Sequence, residues 1–150
     1  MSALYLDDLI LGDAWTGAPI AVEEADVVRF ARQYDAQPMH IDPEAAAAGR
    51  FGGLIASGWH VAALVMRDFI ANNPFGDTPL LGIGVDELRW LKPVFPGDVL
   101  RCVTELLDKR ESRSRPDMGS TRSQMTVFNQ DDQPVLRFTA LGLMRRRPGG

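Results

Sequence analysis

The apolar positions of this chain keep a helical period in its first half and an alternating one in its second. Val27, Phe30, Ala31 and Tyr34 recur at i, i+3, i+4 and i+7, which predicts one amphipathic helix from Glu23 to Tyr34. Glu23, Glu24 and Asp26 place acids in its first turn, where the helix dipole favours them. Pro38 disfavours helical geometry at Gln37, so this helix should end near Asp35. A short second helix is predicted from Asp42 as N-cap and Pro43 as first helical residue, closed by Gly49. The third runs from Ser57-Gly58 to the Asn72-Asn73-Pro74 stop and is apolar on nearly all sides, so other structure must surround it.

Beyond that stop the period changes to two. Leu81–Leu91, Val99–Asp108, Thr121–Asn129 and Val135–Arg145 read as strands; in the third, Ser123, Met125 and Val127 alternate with Arg122, Gln124 and Thr126. Pro96-Gly97-Asp98, Pro116-Asp117-Met118-Gly119 and Asn129 through Pro134 are the turns between them. A leading extended piece around Ala14–Val22 makes a fifth strand. The expectation is an α+β fold, one domain over residues 1–150, with a five-stranded antiparallel sheet curled around the third helix.

Composition narrows the class. A hydrophobic fraction of 45% and a charged fraction of 24% are ordinary globular values. A net charge of −4 argues against a nucleic-acid partner, which needs a phosphate-neutralising surface. The single cysteine, Cys102, permits no intrachain disulfide, and the N-terminal MSALYLDDLILGD lacks the basic start of a signal peptide. The longest apolar stretch, Leu54 to Ala71, is interrupted by Ser57, Gly58, His60, Arg67 and Asp68 and is too polar for a membrane span. A cytoplasmic location without membrane attachment is expected.

Both histidines fall in one short segment, Tyr34 to His60. Asp35 and His40 flank Pro38, and a loop turning there can bring a carboxylate and an imidazole together, the groups needed to take a proton from water and return one to carbon. The competing reading is a helix-terminal aspartate and a loop histidine that only satisfies backbone groups. Gly58 follows Ser57, a good N-cap, so its N–H would be unpaired at a positive helix end and able to stabilise a developing oxyanion. Glycine there would let a ligand approach the backbone; it would equally suit close helix–sheet packing. His60 is read as a hydrogen-bonded core residue, Asp42 as a cap, and Arg67-Asp68 as the point where the helix emerges into solvent. Two histidines and one cysteine without ligand spacing make no metal site, and Gly82-x-Gly84 is no dinucleotide fingerprint.

The run Asp35-Ala36-Gln37-Pro38-Met39-His40-Ile41-Asp42, followed by Phe51-Gly52-Gly53-Leu54-Ile55-Ala56-Ser57-Gly58, resembles the hydratase motif of MaoC-like acyl dehydratases, also called (R)-specific enoyl-CoA hydratases. Leu91 through Asp98 looks like a strand-joining turn of that family. The resemblance implies a hot-dog fold, in which the sheet wraps the long helix and two subunits pair to build each active site. It further implies Asp35 and His40 as the catalytic pair and the Gly58 amide as the thioester contact, with Ser57, Gln37 and Gly53 also substrate-binding. Gln37 and Ser57 depart from the asparagine and histidine usual at those positions.

The implied reaction is reversible hydration of the 2,3 double bond of an enoyl-CoA, with no cofactor beyond the coenzyme A of the substrate, in a homodimer or a multiple of dimers. A hot-dog thioesterase and a non-catalytic acyl-CoA-binding subunit are the alternatives. The basic run Lys109 through Arg115 is either a solvated turn or, through Arg110, Arg113 and Arg115, a contact for coenzyme A phosphates, and Arg145-Arg146-Arg147 carries the same two readings.

Overall fold

A computed structural model describes residues 4–75 and 80–149. After a 3-10 turn at Leu6–Asp8 come two short strands, β1 (Ala14–Thr16) and β2 (Ile20–Ala21). Helices α1 (Glu24–Tyr34), α2 (Pro38–Ile41), α3 (Pro43–Ala47) and α4 (Gly58–Ala71) follow, then strands β3 (Leu80–Trp90), β4 (Val99–Glu111), β5 (Met118–Phe128) and β6 (Pro134–Arg145). The strands pair antiparallel in the order β1-β4-β5-β6-β3, with β2 also on β4. The sheet packs its apolar face on α4, which is the hot-dog arrangement.

The sheet has six strands instead of the expected five because the leading piece breaks. Pro19 has no N–H to give, and the Ala18 N–H goes to Asp68 Oδ1 at 3.2 Å instead of to β4. The pairing therefore stops at Thr16 and resumes at Ile20. Asp68, at the solvent boundary where it was expected, also ties the end of α4 to this break. A second departure is α2, a single helical turn where a loop was expected. Pro38 opens it, a position where a missing N–H costs nothing, and the Asp42 N–H closes it on Pro38 O at 2.9 Å. Asp42 then caps α3, its Oδ1 accepting the N–H groups of Glu44 and Ala45 at 3.1 Å each.

The core joins Val61, Leu64 and Val65 of α4 to Val27 of α1 and to Leu100, Val127 and Leu136 of the sheet. The apolar girth of α4 is thus only partly covered: Trp59, Met66 and Ile70 are exposed, and so are Leu81, Ile83 and Val85 of the edge strand β3. The Pro96-Gly97-Asp98 turn forms as expected. Gly97 takes φ +94°, a conformation that favours glycine, and Asp98 Oδ2 accepts the Phe95 N–H at 2.9 Å. Among the described residues no helix is long and apolar enough to cross a membrane.

Candidate active site

Asp35 sits where α1 stops. Its N–H still reaches Ala31 O at 2.8 Å, but its own dihedrals leave the helix. Three residues on, α2 turns His40 back toward it. The buried His40 ring sets Nδ1 2.6 Å from Ile55 O. A carbonyl only accepts, so Nδ1 carries the hydrogen and the neutral ring keeps its lone pair on Nε2. The Ile55–Ala56 segment that fixes the ring is itself held on both sides, by Ile55 N–H to Met39 O at 3.1 Å and Ala56 N–H to Val94 O at 2.8 Å. Nε2 lies 3.4 Å from Asp35 Oδ2. Both atoms are acceptors, so a water molecule beside them would donate one proton to each.

The Asp35 carboxylate is gripped at both oxygens. Gln37 Nε2 donates to Oδ1 and Ser57 Oγ donates to Oδ2, each at 2.7 Å. These bonds, that of Gln37 first, hold the Asp35 pKa below its ordinary value of 3.8 against the opposing effect of burial. The group therefore remains a carboxylate, able to orient water but a poor store for a proton. Ser57 stands at the N-cap position of α4, yet its side chain makes no cap bond, because the hydroxyl is committed to Asp35. Gln37 and Ser57, expected to touch substrate, each donate to Asp35, and neither lines the neighbouring cavity. Nothing in the sequence pattern pairs residues 22 positions apart; the presence of small donors at the two unusual motif positions is the signal that could have prompted the search.

A pH dependence follows. Each of these bonds favours the ionised form, so Ser57→Ala should raise the Asp35 pKa and carry the acid limb of kcat/KM to higher pH, with a smaller loss near neutrality. A Ser57→Ala profile lowered equally at every pH would reduce Ser57 to a packing role. The sign for stability is consistent. A carboxylate depressed by folding stabilises the fold above 3.8, and that contribution is lost as the pH falls through the folded-state value.

The cavity beside the pair has a volume of about 380 Å³. Asp35, His40 and Gly58 all line it, and Ile55, Val61, Val94 and Leu91 supply apolar wall. Gly58 opens α4, in the first turn, where backbone N–H groups have no carbonyl one turn back. Its closest neighbour is one the sequence did not suggest. A Cβ built on Gly58 would lie 2.4 Å from Trp90 Cε2 and 2.5 Å from Trp90 Nε1. The indole thus lies against the glycine, braced edge-on by Trp59 with ring centroids 4.9 Å apart. Of the two readings of Gly58, this contact is the close-packing one.

Other expected residues fall elsewhere. Gly53 does not line this cavity but borders a second one beyond it. Arg110 lies at the far end of β4 from Pro93 and Val94, roughly 40 Å along a 13-residue strand, and Arg113 and Arg115 follow it. Arg110 pairs with Asp108 at 3.1 Å and Arg115 with Asp117 at 3.2 Å. Arg146 Nη2 binds Asp7 and Glu111, both at 3.1 Å, and the Arg147 guanidinium binds Asp8, so two of the C-terminal arginines clasp the chain ends. The basic residue that does line the cavity is Lys92, which was not anticipated. His60 is buried and stacked on Phe30 at 4.9 Å, as a core histidine should be. Its Nδ1, however, has no hydrogen-bond partner, and burial lowers its pKa. Among the described residues no group of three or more histidine, cysteine or acidic side chains could hold a metal ion.

A sheet wrapped on a long helix, with an aspartate–histidine pair at that helix's N-terminus, defines a hot-dog protein of the hydratase and dehydratase type. The chain belongs to the MaoC-like dehydratase family: the family model described as MaoC like domain matches residues 12–127. It is similar to the uncharacterized protein YdeM of Bacillus subtilis, 32% identical over 143 residues that cover 95% of this chain and 100% of that protein. The crystal structure of a MaoC-like dehydratase from Rhodospirillum rubrum superposes with a TM-score of 0.88 at 40% identity, covering 97% of this chain and 99% of the other. The R-hydratase PhaJ1 from Pseudomonas aeruginosa, in unliganded form, gives 0.81 at 27% identity, covering 97% and 88%.

Proposed function

We propose that this protein reversibly hydrates the 2,3 double bond of an enoyl-CoA thioester. The observation that carries the reading is the opposed pair of acceptors, Asp35 Oδ2 and His40 Nε2, 3.4 Å apart beside a cavity that also reaches Gly58. The water oxygen bonds to C3 as one of its protons passes to His40 Nε2, and C2 receives a proton from the same imidazole. Asp35, kept ionised by Gln37 and Ser57, orients the water and stabilises the charged ring. The Gly58 N–H and the helix end hold the thioester oxygen as negative charge develops on it. The thioester itself makes C3 electrophilic, so no further cofactor is required. Lys92 stands where a coenzyme A phosphate could be met. The kinship with an R-hydratase supports the reaction class. With Cys102 as the single cysteine no intrachain disulfide can form, which is the basis for proposing a reducing cytoplasmic setting.

A thioesterase would use the same helix end but direct its water at the thioester carbon. Purified protein given a panel of enoyl-CoA thioesters should consume the conjugated double bond without releasing free thiol. Thiol release in step with substrate loss would favour the thioesterase, and no turnover at all the non-catalytic subunit.

The working unit is a homodimer. Strand β3 leaves a long sheet edge with Leu81, Ile83 and Val85 exposed, beside the uncovered Trp59, Met66 and Ile70 of α4. An apolar edge of that length needs a partner strand. Ile83→Lys with Val85→Lys, both at exposed positions, should yield a folded monomer by light scattering. An unchanged particle mass for this double variant would place the interface elsewhere.

A further inference from the structure

Strand β3 carries an irregularity that the hydration chemistry does not use. Asp86 pairs with Thr139 and Arg89 with Arg137, so Glu87 and Leu88 together oppose Phe138 alone. Two residues against one make a β-bulge, a device that re-aims the side chains beyond it. Glu87 within the bulge has φ +52°, a left-handed conformation that residues other than glycine adopt only at a cost. Its side chain is exposed, so packing of that side chain does not impose the conformation. Backbone strain of this kind persists only where the surrounding structure holds it.

The bulge decides which face of the sheet Trp90 occupies. Side chains four positions apart on a regular strand share a face, so an unbroken β3 would put Trp90 on the side of Asp86. Thr139, opposite Asp86, alternates with Phe138 and Ala140 of the core, which places Asp86 on the face away from α4. Asp86 accordingly borders a polar depression with Asp108, Arg110 and Arg122. The extra residue reverses the phase, and Trp90 pairs instead with Leu136, a buried member of the core. Trp90 thus turns to the α4 side, and with Leu91 through Val94 it lines the 380 Å³ cavity. There its indole lies on Gly58, braced by Trp59. That contact has a particular weight, because the Ser57 side chain gives α4 no cap bond. The first residue of the helix abuts the Trp90 ring instead.

We propose that the Glu87 bulge is a positioning device for the candidate active site. By slipping β3 one residue against β6 it delivers Trp90 to Gly58, and the indole fixes the Gly58 amide relative to Asp35 and His40. Glu87 acts through its backbone conformation and not through its carboxylate. The proposal rests on the hydratase reading for the role of the amide, but a signal from Trp90 itself tests the bulge independently.

The experiment compares the unaltered protein with Glu87→Gly, Glu87→Val and a deletion of Glu87. Each is labelled with fluorotryptophan for fluorine NMR, the Trp90 resonance being assigned by its loss in Trp90→Phe. Turnover of the best enoyl-CoA, calorimetric binding of butyryl-CoA and particle mass are measured alongside. The deletion should move the Trp90 resonance to a solvent-exposed position and lower kcat by about tenfold, short of the 10²–10³-fold cost of losing an oxyanion donor outright. KM should change less. Glu87→Val, β-branched where φ is positive, should act in the same direction and carries the test if the deletion does not fold. Glu87→Gly adopts the same backbone without strain, so it should keep the Trp90 resonance and lose far less turnover than Glu87→Val. An unmoved Trp90 resonance in both the deletion and Glu87→Val would overturn the proposal. So would a moved resonance with turnover and butyryl-CoA affinity unchanged, or a loss that follows particle mass instead of the Trp90 signal. Equal losses in Glu87→Gly and Glu87→Val would assign the effect to the carboxylate and overturn it too. If the unaltered protein hydrates no enoyl-CoA, yet displacing Trp90 weakens butyryl-CoA binding, the bulge assignment stands and the hydratase reading falls.

Discussion

Asp35→Asn and His40→Gln should each lower kcat by about 10²–10⁴-fold, the usual cost of losing acid–base assistance. The double variant should be little worse than the poorer single, because members of one catalytic unit are not additive. The two substitutions act on different atoms. Asparagine at residue 35 still accepts from Ser57 or Gln37 but carries no charge to stabilise the imidazolium. Glutamine at residue 40 can keep a donor toward Ile55 O, yet it offers no basic nitrogen where Nε2 stood. Affinity should change far less than turnover, since thioester and coenzyme A are held by other groups. Stopped-flow turnover together with calorimetric binding separates the two quantities. Independent, multiplicative losses, or a fully active Asp35→Asn protein, would return the pair to the simpler reading of a helix end and a core histidine.

Gly58→Val should be the other large effect, about 10²–10³-fold in kcat if one oxyanion donor is lost. From the sequence alone, the branched side chain would act only by blocking approach to the amide. The Trp90 indole, 2.4 Å from where the first added carbon would sit, means that even Gly58→Ala must displace a ring lining the cavity. A shift in tryptophan fluorescence should therefore accompany the loss. Combining Gly58→Ala with Trp90→Ala separates the causes. The pair restores room for the Cβ, so stability should recover while turnover remains low if the Gly58 amide must be approached closely. Full recovery of turnover in the pair would make Gly58 a packing residue for Trp90 and move the thioester contact elsewhere.

Much of this arrangement was legible in the linear chain because its signals are local. The helical period from Val27 to Tyr34, the alternation in Thr121–Asn129, the Asp42-Pro43 cap and the Pro96-Gly97-Asp98 turn each depend on residues a few positions apart, and each formed where expected. The one-turn helix α2 was missed because four residues carry no period to read. The break in the leading strand was missed because its cause, Asp68, lies 50 positions away. The D-x-x-P-x-H spacing named Asp35 and His40 but not their geometry, since a turn at Pro38 is compatible with many separations.

The sequence by itself determined the class of elements, their order, the family motif and the two groups able to move a proton. Those properties follow from side-chain period, backbone propensity and residue chemistry, all of which act over a few bonds. Only the tertiary structure decided what each group faces. It turned the Ser57 hydroxyl from capping α4 to holding Asp35, fixed the His40 tautomer through Ile55 O, laid Trp90 on Gly58 and left Arg110 and the arginines that follow it at the far end of β4 from the cavity. Such contacts join residues distant in the chain, and they arise only when burial of α4 against the sheet brings those residues within hydrogen-bond or van der Waals reach.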